Sequence, residues 1–275
     1  GGLSDLGIVQ GDTVTLYAAN SWEWIVSYYA IARLGAVINP VNTMLTPSEI
    51  EYVVKDCGAK AIIASPEKVA AIMGVKEVSD VEEIISFGSD IADGAISFDA
   101  LIAANISAPT PVEIDPANLS TIGYTSGTTG HPKGAMQSHR AVITNGAMTS
   151  QMQMRGADDC IVSALPCPHV YANVIMMSMM MFGSKLVLHR AFDVDLAFAD
   201  ITAHKATIFD GVPAMYMFML NSPTIKDADL SSLTRCYVGG QTMPVATMEA
   251  VETAFKVPLI ELWGMTEIAG LGSTH

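Results

Sequence analysis

Short apolar runs alternate with longer stretches in which apolar and polar positions recur at helical spacing, and the alternation continues along the chain. Residues 13–18 read as a buried strand, and Ser21 stands where an N-cap belongs, ahead of an apolar helix running to about Leu34. A short strand at 36–38 is ended by Asn39-Pro40. Thr46-Pro47-Ser48-Glu49 opens the next helix: Thr46 caps, Pro47 suits the first helical position, and Glu49 has capping-box spacing. Residues 59–64 form a third strand. This βαβα order predicts a parallel sheet with helices on its faces.

The segment 105–118 holds Pro109, Pro111 and Pro116 and reads as a connector. Residues 119–125 then form a strand that delivers a loop rich in glycine and hydroxyls, and Ser138 starts the following helix. Strands are expected at 160–164, 185–188, 207–209, 235–238 and 258–262, with helices at 170–182, 194–204 and 244–255. The fold class is α/β: two stacked lobes of largely parallel sheet flanked by helices, 1–156 and 157–275, meeting near Gly156. No internal repeat is evident.

Half of the 275 residues are hydrophobic and only 15% are charged, enough for a substantial core. The formal net charge of −14 argues against nonspecific nucleic-acid binding, which needs a basic footprint. It also means that an anionic ligand has to be held by local donors rather than by the global field. Cys57, Cys160, Cys167 and Cys236 form no C-x-x-C pair and read as reduced thiols of a cytoplasmic protein. Cys167 and His169 are two apart, but no second ligand pair with zinc-like spacing accompanies them. The apolar run 170–182 is shorter than the ~20 residues of a membrane span. The first residues lack a basic segment followed by an apolar one, so no leader is expected either.

The strongest chemical signal is Tyr124-Thr125-Ser126-Gly127-Thr128-Thr129-Gly130-His131-Pro132-Lys133-Gly134. Glycines free backbone N–H groups to face a ligand, and successive N–H groups make a concavity for anions. Thr125, Ser126, Thr128 and Thr129 add hydroxyls, and Lys133 adds a compact positive charge suited to phosphate. Pro132 and Gly134 flank the lysine where a Walker loop needs Gly and Ser/Thr. Neither the dinucleotide fingerprint nor the nucleophile elbow fits, and Tyr124 stands where the elbow needs glycine. A polyphosphate cradle of another type is indicated.

This loop resembles the phosphate loop of the adenylate-forming superfamily, which contains acyl- and aryl-CoA synthetases, luciferases and peptide-synthetase adenylation domains. Leu165-Pro166-Cys167-Pro168-His169 is similar to that family's Leu-Pro-x-x-His turn, and Gly239-Gly240-Gln241 to its Gly-Gly-Ala segment. Leu262-Trp263-Gly264-Met265-Thr266-Glu267 resembles its Tyr-Gly-Met-Thr-Glu motif, and Asn20-Ser21, Gly35-Ala36-Val37 and Asn39-Pro40 its opening region. The likeness covers nearly the whole chain.

The resemblance implies the N-terminal portion of an acyl-CoA synthetase using ATP, Mg²⁺ and coenzyme A. A carboxylic acid, expected to be fatty, becomes acyl-AMP with release of pyrophosphate and then a thioester. It implies that Thr125, Ser126, Gly127, Thr128, Thr129, Gly130 and Lys133 hold phosphates. Gly239, Gly240, Gln241, Trp263, Gly264 and Met265 line the adenine and acyl groove, Thr266 contacts the nucleotide, and Glu267 holds Mg²⁺. His169 becomes an active-site wall residue and not a general base, since a carboxylate is already ionised at pH 7.

Met176, Met177, Met179, Met180 and Met181 after it suit either a core or an adaptable acyl pocket. No Asp stands between Leu165 and Val174 to hold a substrate amine, which speaks against amino-acid activation. Gln241 and Thr242 replace the usual Ala and Pro, and Trp263 the usual Tyr. The family's later ribose-binding Asp, hinge and lid with its catalytic Lys are not matched within the chain, so little turnover is expected from it. The alternatives are a non-catalytic nucleotide-binding module, an aryl-CoA ligase or a luciferase-like relative. The reading allows for a homodimer.

Overall fold

In the computed structural model the first unit is built largely of strands joined through helices into a parallel sheet, with an antiparallel pair at one edge. The chain runs α1 (Gly2–Asp5), β1 (Thr13–Tyr17), α2 (Trp22–Arg33), β2 (Val37–Pro40), α3 (Pro47–Asp56), β3 (Ala59–Ala64) and α4 (Pro66–Ile72). It continues through β4 (Glu83–Ser86), β5 (Ile96–Ser97), α5 (Phe98–Ala104), β6 (Leu119–Thr125), β7 (Lys133–Ser138) and α6 (His139–Met152). The structure describes residues 1–88, 91–105, 110, 112–125 and 130–274. The connector prolines Pro109 and Pro111 and the loop residues Ser126, Gly127, Thr128 and Thr129 lie outside the described residues.

Two compact units are present, Gly1–Val142 and Ile143–His275, so the division falls within α6 and Gly156 lies inside the second. The seven strands of the first unit are ordered β5-β4-β3-β1-β2-β6-β7. All neighbours are parallel except β6 and β7. Every residue of β1 is buried. From α3, Ile50, Val53 and Val54 pack with Ile62 and Ile84, all with no exposed surface. Burying each such side chain contributes about 1.5–3 kcal/mol. The expected caps form: Ser21 Oγ accepts from the Trp24 N–H at 3.2 Å, and Thr46 with Glu49 closes a reciprocal capping box.

The second unit contains β8 (Cys160–Ser163), α7 (Val170–Phe182), β9 (Lys185–Leu188), α8 (Val194–His204), β10 (Ile208–Gly211) and α9 (Pro213–Asn221). It then adds β11 (Arg235–Gly239), α10 (Val245–Phe255), β12 (Leu259–Met265) and β13 (Gly270–Thr274). Its sheet is ordered β13-β12-β11-β10-β8-β9, parallel except for β12 with β13. The mixed α/β class and the mostly parallel, helix-flanked sheets therefore agree with the expectation.

Each sheet also ends in an antiparallel strand that the residue pattern did not announce. In β7, Lys-Gly-Ala-Met-Gln-Ser lacks the β-branched alternation of a strand, and its conformation comes from pairing with β6. Among the described residues no helix is long and apolar enough to cross a membrane.

Candidate functional site

In the first unit β6 and β7 form a hairpin with Tyr124 opposite Gly134 and Thr125 opposite Lys133. The pairing brings one hydroxyl, on Thr125, and one ammonium, on Lys133, to opposite positions of the two strands. Lys133 is exposed. A Cβ at position 134 would lie 2.7 Å from Ile122 Cγ2 and 3.2 Å from the Tyr124 ring, which is why glycine stands there. Gly130 adopts φ +122°, a conformation that side chains oppose.

Helix α3 touches both ends of the hairpin. Tyr124 Oη donates to Asp56 Oδ2 at 2.5 Å, while the Tyr52 ring stacks on His131 with centroids 4.7 Å apart and planes 17° from parallel. Tyr52 Oη donates to the Pro132 carbonyl at 3.4 Å. Burial, together with the hydrogen bond to Asp56, pushes the Tyr124 phenol well above its ordinary pKa, so it stays a neutral donor.

The second unit carries the remaining motifs at the carboxyl ends of its strands, where ligands of open α/β sheets gather. After β8, Ser163 Oγ donates to the Asp210 carbonyl at 3.0 Å and accepts from the Leu165 N–H at 3.2 Å, which fixes the start of the Leu165–His169 turn. His169 N-caps α7, its Nδ1 accepting from the Tyr171 N–H at 3.2 Å. An accepting Nδ1 is unprotonated, and desolvation lowers the pKa of this imidazole in the same sense. Of the methionines that follow, Met176 and Met177 are in the core, whereas Met180 and Met181 are 56% and 42% exposed. Core packing thus accounts for the first part of the stripe.

A buried polar network lies beneath the turn. Arg155 makes a bidentate pair with Asp210 at 2.8 and 2.9 Å, both side chains having no exposed surface. Tyr171 Oη donates to Asp210 Oδ1 at 3.0 Å, and the guanidinium lies over the Tyr237 ring, 4.9 Å from its centroid. Burial works against the guanidinium charge, yet the Asp210 carboxylate more than offsets it and raises the Arg155 pKa. The network connects the start of α7 to β10 and β11.

Gly239 ends β11 and packs beside Tyr171 and Leu262, and Gly240 turns the chain with φ +85°. Gln241 is exposed. Trp263, Gly264 and Met265 close β12, with the Trp263 indole resting on Gly272 of β13 and 55% exposed. A one-turn 3₁₀ helix, Thr266–Ile268, follows, and Glu267 is exposed on it. Asn145 of α6 fixes this corner: Nδ2 donates to the carbonyls of Ile268 and Leu271 at 3.2 and 2.8 Å, and Oδ1 accepts from the Leu271 N–H at 3.1 Å.

Among the described residues no group of three or more His, Cys, Asp or Glu could cage a metal ion. Burial pushes the Cys167 thiol up to about 12, so it stands as a neutral, buried thiol. A single exposed carboxylate on Glu267 does fit Mg²⁺, which keeps several waters and takes its other ligands from substrate phosphates.

Residue patterns did not single out Asp56, Asn145, Arg155 or Asp210. The one signal was Asp210 itself, a charge at the end of the apolar run Thr207-Ile208-Phe209. A charge there has to be paired.

The sequence model of the family described as AMP-binding enzyme matches residues 1–275. 4-Coumarate–CoA ligase 5 of Oryza sativa subsp. japonica is 34% identical over 97% of this chain and 50% of its own. Indoleacetate–CoA ligase of Aromatoleum aromaticum is 32% identical over 95% and 51%, respectively. Long-chain-fatty-acid–CoA ligase FadD13 of Mycobacterium tuberculosis is 29% identical over 98% and 53%. The chain thus spans about half the length of these relatives. Among solved structures, the anthranilate CoA ligase AuaEII with anthranoyl-AMP superposes with TM-score 0.92 at 25% identity, over 99% of this chain and 54% of that one. The N-terminal domain of FACL13 from Mycobacterium tuberculosis gives 0.89 at 29% identity, over 99% and 67%.

Proposed function

The chain belongs to the AMP-binding enzyme family, and from that premise we propose that it carries the acid- and nucleotide-binding portion of an AMP-forming acid–thiol ligase. A carboxylate oxygen attacks the α-phosphorus of ATP, the bond to the bridging oxygen breaks, and acyl-AMP and pyrophosphate result. The thiol of coenzyme A then adds to the acyl carbonyl, loses its proton, and displaces AMP. Bringing one anion onto another is the obstacle, and preorganised donors lower it.

In the first unit, Thr125, Ser126, Gly127, Thr128, Thr129, Gly130 and Lys133 are assigned to the β- and γ-phosphates. The observation that carries this assignment is the register of Thr125 against Lys133 across the hairpin tip. In the second unit, Gly239, Gly240, Gln241, Trp263, Gly264, Met265 and Thr266 are assigned to the adenylate and its acyl group. Glu267 would supply one ligand to Mg²⁺, which offsets phosphate charge when bound. His169 acts as a neutral wall beside the acid. The free cysteines fit a reducing, cytoplasmic location.

The acid we assign is hydrophobic and aliphatic, supported by the half-exposed Met180 and Met181. An aromatic acid is the second reading, favoured by the relatives at 34% and 32% identity, which are named for 4-coumarate and indoleacetate. Pyrophosphate release measured with ATP and a panel of both acid classes separates the two. Release at any rate for the chain alone is expected to be far below ~1 s⁻¹. In calorimetry, Lys133→Ala weakens ATP; unchanged affinity removes the loop from its assigned role.

A further inference from the structure

Helix α3 belongs to none of the motifs above, yet it is the element that touches both ends of the phosphate-binding hairpin. Tyr52 and Asp56 are four residues apart and so share one helix face. The opposite face is immobilised: Ile50, Val53 and Val54 are wholly buried in the sheet core. The helix start is held by its capping box and, one residue upstream, by Tyr17 Oη donating to the Leu45 carbonyl at 2.7 Å.

On this rigid support, Asp56 takes the Tyr124 hydroxyl immediately before Thr125, and Tyr52 takes the His131 ring and Pro132 carbonyl immediately before Lys133. The two hydrogen bonds therefore fall one residue from each of the paired positions at the hairpin's ends, and the ring stack two.

We infer that Tyr52 and Asp56 are positioning residues for phosphate binding, holding the backbone of Thr125 and Lys133 in place before the ligand arrives. The inference rests on the reading of the loop as a phosphate site. Fixing these ends beforehand lowers the ordering cost that binding would otherwise incur. The placement of Asp56 gives this role a distinctive sign. A carboxylate near a phosphate site repels the ligand, so on electrostatics alone its removal tightens binding. As a positioning group its removal weakens binding.

The test is calorimetry on the 275-residue chain with Mg²⁺-pyrophosphate and, separately, AMP, alongside a thermal melt. Asp56→Ala and Tyr52→Leu are each expected to weaken pyrophosphate about tenfold, as for loss of one charge-assisted hydrogen bond or its equivalent. AMP affinity and melting temperature stay as in the parent. Asp56→Asn keeps an acceptor and Tyr52→Phe keeps the stacked ring, and both recover most of the affinity. Pyrophosphate binding that is unchanged or tighter in the Ala and Leu variants, while Lys133→Ala loses it, overturns the inference and leaves the loop assignment standing. A parallel loss of both ligands with a lowered melt reduces the two residues to structural ones and also overturns it. If Lys133→Ala, too, binds pyrophosphate as the parent does, the loop assignment itself fails and takes this inference with it.

Discussion

Asp210→Asn should be the most destabilising isosteric change in the second unit. Asp210 and Arg155 have no exposed side-chain surface, and two hydrogen bonds at 2.8 and 2.9 Å join them. The substitution leaves the guanidinium buried without its counter-charge, at a cost of about 3–5 kcal/mol. For a chain of this size that is a fall in melting temperature of roughly 6–20 °C. The cost belongs to the broken pair and not to the absence of a pair. A double variant, Arg155→Met with Asp210→Leu, should recover most of it, since apolar replacement of a buried ion pair is often close to neutral. Tyr171→Phe and Gln153→Met have to be added, because the Tyr171 hydroxyl otherwise loses the acceptor it has at 3.0 Å and the buried Gln153 Oε1 loses the Arg155 Nε–H it accepts at 2.5 Å. Urea titration of the parent, the single variants and the quadruple variant reads all of this. A single variant within ~1 kcal/mol of the parent would mean that water reaches the pair, and the reasoning from burial would fail.

Gly134→Ala places a methyl 2.7 Å from Ile122 Cγ2 and should cost about 1–3 kcal/mol through overpacking. An unchanged urea midpoint would show that the hairpin closes differently. Asp159 accepts from Arg235 at 2.7 Å, Thr207 at 2.7 Å and the Gly156 N–H at 3.0 Å, and these bonds outweigh desolvation and hold its carboxyl below the ordinary value. A depressed folded-state pKa contributes stability above the unfolded value of about 3.9, and loses it as pH falls through the folded one. Asp159→Asn should therefore melt below the parent at pH 7, and the gap should narrow below about pH 4; a gap independent of pH refutes the assignment.

Most of the βαβ framework is legible in the sequence because its signals are local. Ser21, Thr46 and Glu49 announce their helices by chemistry that operates within a turn, and the structure shows those bonds. The second strand of each hairpin is not legible. β7 has the composition of a loop and becomes a strand through its neighbour β6, and β13, with glycines at 270 and 272, is shaped by β12 in the same way. The candidate site divides along the same line. Glycines, hydroxyls and Lys133 stand next to one another in the chain and can be read there. Asp56 lies 68 residues from Tyr124, and Arg155 lies 55 from Asp210, so their partnership exists only after folding.

Asn39 sits in β2 with no exposed surface. Its side chain accepts from Thr15 Oγ1 and donates to the Ile122 carbonyl, both at 2.9 Å, the second bond spanning 83 residues. The β6–β7 hairpin can form by itself within microseconds, but it can join the sheet only after a long chain loop has closed. Until then the Asn39 amide has no protein acceptor and β2 presents an open edge. Docking of the hairpin that bears Lys133 thus both covers that edge and satisfies a polar group buried in the central strands.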